Sequence, residues 1–241
     1  MNDRSFAAAF VLALGIAIGG GLMGWGFVRG RSADRYVEVK GLAEREVTAD
    51  LALWPLRFVV SANELTAAQA QMTRSTELVM EFLKRHGIDP SATELQNLQV
   101  LDSNTNQYQR DTAGPRFVIQ QTVMVRLNKP DVIRAASQRV SELVSAGVVL
   151  SQGGEYGIGG PTFVFTRLND LKPAMIAEAT ANARTAADQF ARDSGSALGG
   201  IRQANQGVFV ILPRDQAPGV NESSQMQKIV RVVSTVQYFL E

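Results

Sequence analysis

The longest pattern in the chain is an uncharged one: residues 5–28 hold no Asp, Glu, Lys or Arg, and residues 6–27 read FAAAFVLALGIAIGGGLMGWGF. Coiled as a helix, this run is about 33 Å long, enough to cross a hydrocarbon core of about 30 Å. It predicts a membrane-spanning helix. A cleaved signal peptide has an apolar stretch of only about 7 to 15 residues before a small-x-small site. The match placed late enough, Gly24-Trp25-Gly26, sets a bulky ring between its glycines. The expectation is therefore an uncleaved anchor over residues 1–31, followed by a body over residues 32–241.

Past the anchor the periodicity changes. Residues 36–40 alternate with period two, and Ala52, Trp54, Leu56, Phe58 and Val60 share one face, so two strands are predicted, with their turn inside residues 41–50. Pro55 cannot donate to a ladder, which places an open edge or a bulge there. Leu65, Ala68, Met72, Ser75, Val79 and Phe82 recur at helical spacing and predict a helix over 65–85, with Thr66 and Gln69 spaced as a capping box and Gly87 as its stop. Residues 95–101 and 116–127 form a predicted hairpin. Asn128, Pro130, Ile133, Ala136, Val140, Leu143 and Gly147 mark a second helix of about four turns, from cap to stop.

Short strands are then predicted at 148–150 and 162–166. The third helix, over 171–192, holds eight alanines in residues 174–191, with Ile176, Ala179, Ala183, Ala186 and Phe190 expected inward. Strands follow at 208–212 and 228–241, the last with Val230, Val232, Val236, Tyr238 and Leu240 on one face. The predicted fold class is α+β: an N-terminal transmembrane helix, then largely antiparallel sheet with about three packed helices.

Composition narrows the chemistry. With 45% hydrophobic and 20% charged residues, the 241-residue chain is not disordered and can bury a substantial core. It holds no cysteine and one histidine, which excludes disulfides, thiolate nucleophiles, cysteine zinc sites and multi-histidine metal sites. Beyond residue 31 there remain 21 basic and 22 acidic residues, a formal charge of −1, with no basic patch interleaved with aromatics. Nucleic acid is a poor partner for such a surface.

Candidate chemistry is sparse. His86 falls in the last turn of the first helix, where a partly positive ring suits the dipole, but it has no companion histidine, thiol or carboxylate motif for base catalysis. The glycine cluster at 153–160 lacks the Gly-Lys-Ser/Thr ending and the following helix start that phosphate cradling requires, and is expected to be a flexible turn. No catalytic, cofactor-binding or metal-binding residue is assigned. Residues 102–115 and 213–225 are polar loops, either solvated or used for recognition.

Within the anchor, Gly15/Gly19 and Gly20/Gly24 form small-xxx-small pairs that suit lateral helix packing, although glycine is also common in membrane helices for no such reason. Trp25, with Arg29 and Arg31, suits the membrane interface. Orientation is divided: Arg29, Arg31 and Arg35 after the span argue for a cytoplasmic body, whereas long domains are exported largely regardless of flanking charge.

Several signatures together carry a family likeness. They are the segment Val37-Glu38-Val39-Lys40-Gly41-Leu42-Ala43, the helix ending at Gly87-Ile88, Gly153-Gly154 ahead of Pro161-Thr162-Phe163-Val164-Phe165, and the alanine-rich helix running into Leu198-Gly199-Gly200-Ile201. From Tyr36 to Glu241 the chain resembles the SIMPL-domain family. Two departures are local: the Pro-Asp common before the second strand is Ala49-Asp50 here, and a Gly-Tyr pair of the fourth strand is Gln120-Gln121.

The resemblance implies a bacterial cell-envelope protein without assigned enzymatic activity, related to oxidative-stress members and a periplasmic immunogenic antigen. It also implies a large, channel-like or ring-like homo-oligomer. The expected partners are thus other copies of the chain and the lipid bilayer, with the body in the periplasm and the anchor in the inner membrane. Two other readings stand beside it: a periplasmic module recognising a small ligand or protein through its polar loops, and an enzyme assembled from scattered Asp, Glu, Ser or Tyr side chains.

Overall fold

The structure is a computed structural model describing residues 3–32, 35–105, 114–151 and 160–241, without the side chains of residues 3–9, 11, 27–32 and 105. Its elements are α1 (Asp3–Ser32), β1 (Tyr36–Thr48), β2 (Leu51–Ala62), α2 (Leu65–Arg85), β3 (Thr93–Asp102), β4 (Phe117–Leu127), α3 (Pro130–Ser137), α4 (Ser141–Ser145), β5 (Thr162–Val164), α5 (Leu168–Asp193), β6 (Leu198–Gln206), β7 (Val210–Pro213) and β8 (Gln227–Leu240). The class is α+β with antiparallel pairing. One sheet runs β3-β4-β2-β5, and the other β1-β8-β6, with β7 on the first part of β8. Among the described residues, no helix is long and apolar enough to cross a membrane.

The chain divides into two compact units. The larger, residues 44–172 and 210–231, contains the sheet β3-β4-β2-β5. The alternation read in β2 holds: Ala52, Trp54, Leu56 and Phe58 are buried and meet Ile119, Val123 and Val125 of β4 under Met72, Val79, Phe82 and Leu83 of α2. Trp54 and Phe82 meet edge to face, with ring centroids 6.4 Å apart. Pro55 lies where β2 has β4 on one side only, past the reach of β5 at Leu51–Leu53. Val59 N–H donates to Val149 on the side away from β4, and Pro55, four residues earlier, presents its missing donor to that same side.

Local signals fared unevenly. The Thr66–Gln69 capping box does not form: α2 begins after Glu64 with no side-chain cap, although its C-terminus turns at Gly87 in the left-handed region, φ 78°. The single second helix is two, α3 and α4, and its first cap position is Lys129 rather than Asn128. Between them the bonding tightens to i→i−3 at Arg139 and Glu142, while the Ser137 hydroxyl donates to the carbonyl of Arg134 at 2.9 Å. The inward positions Ile133, Ala136 and Leu143 are nonetheless buried.

The smaller unit holds residues 1–43, 173–209 and 232–241. Its core joins Val37, Ala183, Ala187, Val236 and Tyr238. The inward stripe of α5 is Met175, Ala179, Ala183, Ala187 and Ala191, a strict four-residue repeat. Ala186 and Phe190, expected inward, face solvent. The small side chains let the helix backbone lie against β1: a Cβ on Gly41 would stand 1.8 Å from the Ala179 carbonyl oxygen, and the Asn182 amide donates to the Leu42 carbonyl at 2.8 Å.

Candidate functional site

Three places were expected to carry function: the anchor, the loop over 102–115 and the loop over 213–225. In α1 the apolar side chains of Phe10, Leu12, Leu14, Ile16, Ile18, Leu22 and Met23 are exposed, as is Trp25. A Cβ at Gly15, Gly19, Gly20 or Gly24 would meet nothing within 4 Å, so room for a neighbouring backbone is open. The side chains of Arg29 and Arg31, and of six members of the apolar run, lie outside the described residues. The structure gives the expected membrane span no support of its own.

The tip of the first loop, 106–113, and residues 152–159, which hold all of the glycine cluster but Gly160, also lie outside the described residues. The neck of that first loop is clasped. Asp102 accepts from Arg116 Nε at 3.2 Å and Nη2 at 3.1 Å and from the Asn104 N–H at 3.0 Å, and the guanidinium lies 4.7 Å over the Phe117 ring. The side-chain bond from Arg116, then the Asn104 N–H, hold the Asp102 carboxyl below the usual carboxylate range.

The second loop is built rather than loose. Lys228 opens β8 with a fully buried side chain whose ammonium donates to the Glu222 carboxylate and, at 2.6 Å, to the Glu222 carbonyl, pinning the short 3-10 turn Glu222–Ser224. Gln225 closes the ring, accepting from Asp215 N–H at 3.1 Å and donating to its carbonyl at 3.0 Å. The loop walls an open cleft of about 700 Å³ together with Asp131, Arg134, Gln138 and Phe163. Its charges are paired locally, Arg134 with Asp131 at 3.5 Å and Arg214 with Asp215 at 2.8 Å. Such a cleft suits a polar, uncharged surface better than a strongly ionic ligand.

His86 caps α2 with its ring 4.5 Å from Phe82 and Nε2 3.3 Å from Glu142, whose carboxylate also receives Arg85 and Arg139 at 3.8 Å. The ring packs and bridges α2 to α4. Among the described residues no group of three or more His, Asp or Glu side chains is placed to hold a metal ion.

The place that sequence reasoning missed is the outer strand of the larger unit's sheet. Leu95, Leu98, Val100 and Leu101 of β3 are 55%, 61%, 52% and 59% exposed. Leu95 stands opposite Val123, and Val100 opposite Ile119, so both continue the face that α2 covers over β4. The helix layer stops short of them. Leu101, opposite Val118, is open on the other face. A one-residue bulge lies between Gln96 and Gln99, with Asn97 in the left-handed region at φ 53°. The clue lay in the sequence: Leu-Gln-Asn-Leu-Gln-Val-Leu is too apolar for a strand with solvent on both faces.

The body is thus α+β, with an uncovered apolar strand at one sheet edge and an alanine-striped helix. Residues 37–237 match the model of the SIMPL family, described as a protein of unknown function (DUF541), and the chain belongs to that family. It is also similar to the uncharacterized protein YggE of Edwardsiella ictaluri (strain 93-146), at 25% identity over 202 residues, covering 80% of this chain and 79% of the relative.

Proposed function

We propose that this is a single-pass, membrane-anchored envelope protein of the inner membrane whose body, in the periplasm, acts without catalysis by assembling with copies of itself into a large ring-like or channel-like homo-oligomer. One observation carries the reading: an outermost strand with four large apolar side chains more than half exposed, where a solitary protein would shorten, charge or cover the edge. The anchor reading rests on the uncharged run of residues 5–28 within a 30-residue helix. Tethering in a plane raises the local concentration of bodies and favours their contact. A link to oxidative-stress tolerance comes from the family likeness.

The test is size-exclusion chromatography with light scattering on the full chain in detergent and on a chain starting at Ser32. Particles of many copies support the reading; single copies of both forms at micromolar concentration reject it. A second reading, recognition of a small ligand or protein, is favoured by the walled cleft of about 700 Å³. Replacing residues 216–220 by a short glycine linker, which keeps the Glu222–Lys228 and Gln225–Asp215 contacts, is then expected to abolish partner capture while the body stays folded.

A further inference from the structure

The geometry points to β3 as a two-fold docking strand for a second copy of this chain, paired antiparallel so that Leu95 of each copy lies opposite Val100 of the other. The inference rests on the self-assembly proposed above and gives it a contact and a register. Among the described residues β3 has one neighbour, β4, and ends the sheet, so its outer backbone groups form an open ladder.

Two copies of Thr93–Asp102 can pair antiparallel about an axis normal to the sheet with their faces matched. With that axis between Asn97 and Leu98, Thr93 meets Asp102, Glu94 meets Leu101, Leu95 meets Val100, and Gln96 meets Gln99. Each pair joins residues on the same face, because Thr93 and Leu95 lie opposite Val125 and Val123 while Val100 and Asp102 lie opposite Ile119 and Phe117. Slipping one residue puts Glu94 against Asp102 and mismatches the faces.

A bulge normally blunts an edge. Here the bulges of the two copies fall together on the axis, so residues 93–96 of one copy still face 99–102 of the other without interruption. The pairing also brings the uncovered Leu95 and Val100 of both copies into one apolar cluster beside the helix layer, as an isologous contact requires.

The chain has no cysteine, so a single introduced thiol reports the register. In this pairing Leu98 of the two copies is offset by one residue, with Cα atoms about 6 Å apart, within disulfide range; Leu101 is offset by seven, about 24 Å. Full-length protein in detergent carrying L98C is expected to convert to a disulfide-linked dimer under mild oxidation, and L101C to remain uncrosslinked.

A second pair of variants guards against a fold defect. L101E, which sets a carboxylate against Glu94 of the other copy, should weaken association about tenfold, and adding E94K should restore it. Light scattering separates the failures. Particles of many copies in which position 98 does not link, position 101 links as readily, or E94K gives no rescue overturn this register and leave self-assembly standing. Single copies throughout overturn both.

Discussion

The carboxylate of Asp50 accepts both donors of Thr166, the backbone N–H at 2.7 Å and the hydroxyl at 2.6 Å, and so ties the start of β2 to the segment entering α5. Arg167 stands 3.9 Å away. Burial pushes this carboxyl up, but the two Thr166 bonds outweigh it and hold it below its ordinary value. Asp50→Ala is expected to cost about 1.5 kcal/mol at neutral pH. A depressed folded pKa contributes stability above the unfolded value and loses it as pH falls. The gap between wild type and variant in urea unfolding should therefore be full at pH 7, begin to shrink near pH 4, and vanish below the folded value; a gap independent of pH contradicts the assignment.

Gly41 is the tightest point in the smaller unit. A methyl group there would meet main-chain atoms, the Ala179 oxygen at 1.8 Å and the Ala183 nitrogen at 2.5 Å, and neither can rotate away. Gly41→Ala should lower stability by about 3 kcal/mol, read as a shift in the denaturant midpoint, whereas Gly200→Ala, where nothing lies within 4 Å, should move it little.

Lys228 is buried with its charge met by Glu222. Glu222→Ala leaves an ammonium in the interior with only a carbonyl and should cost about 2 kcal/mol; pairing it with Lys228→Met should recover more than half. A double-variant melting temperature no higher than that of the single change would show that the loop does not depend on this contact.

Asn97 adopts φ 53° at the β3 bulge. Asn97→Gly should be neutral or slightly stabilising, and Asn97→Val should cost about 1.5 kcal/mol, because a branched Cβ crowds its own backbone there. Equal thermal midpoints for the two variants would refute the bulge geometry.

Elements with one buried face were legible from sequence. β2, α2, β4 and β8 announce themselves because period two or 3.6 is written in Trp54, Phe58, Val79, Phe82, Val123 and Val236. β6 was not: Leu198–Gln206 is rich in glycine and polar residues, is mostly exposed, and pairs with β8 through backbone bonds that leave no apolar pattern. The stripe of α5 was misplaced by one position because alanines occupy most of the helix surface and cannot mark a side. Lys228 and Ser234 sit among the buried residues of β8, and a charge and a hydroxyl give no apolar signal by which the sequence could mark them as buried. The β3 edge was read as half of a hairpin, and its exposure depends on where α2 ends in space, which no local pattern records.

β1 lies beside β8, and the Leu240 N–H donates to the Arg35 carbonyl at 2.9 Å, so two strands far apart in the chain must find each other. That pairing closes only after both have left the ribosome, a long-range step that slows folding. Until then β1 is an unclaimed template, and a chain halted before β8 would never acquire this neighbour.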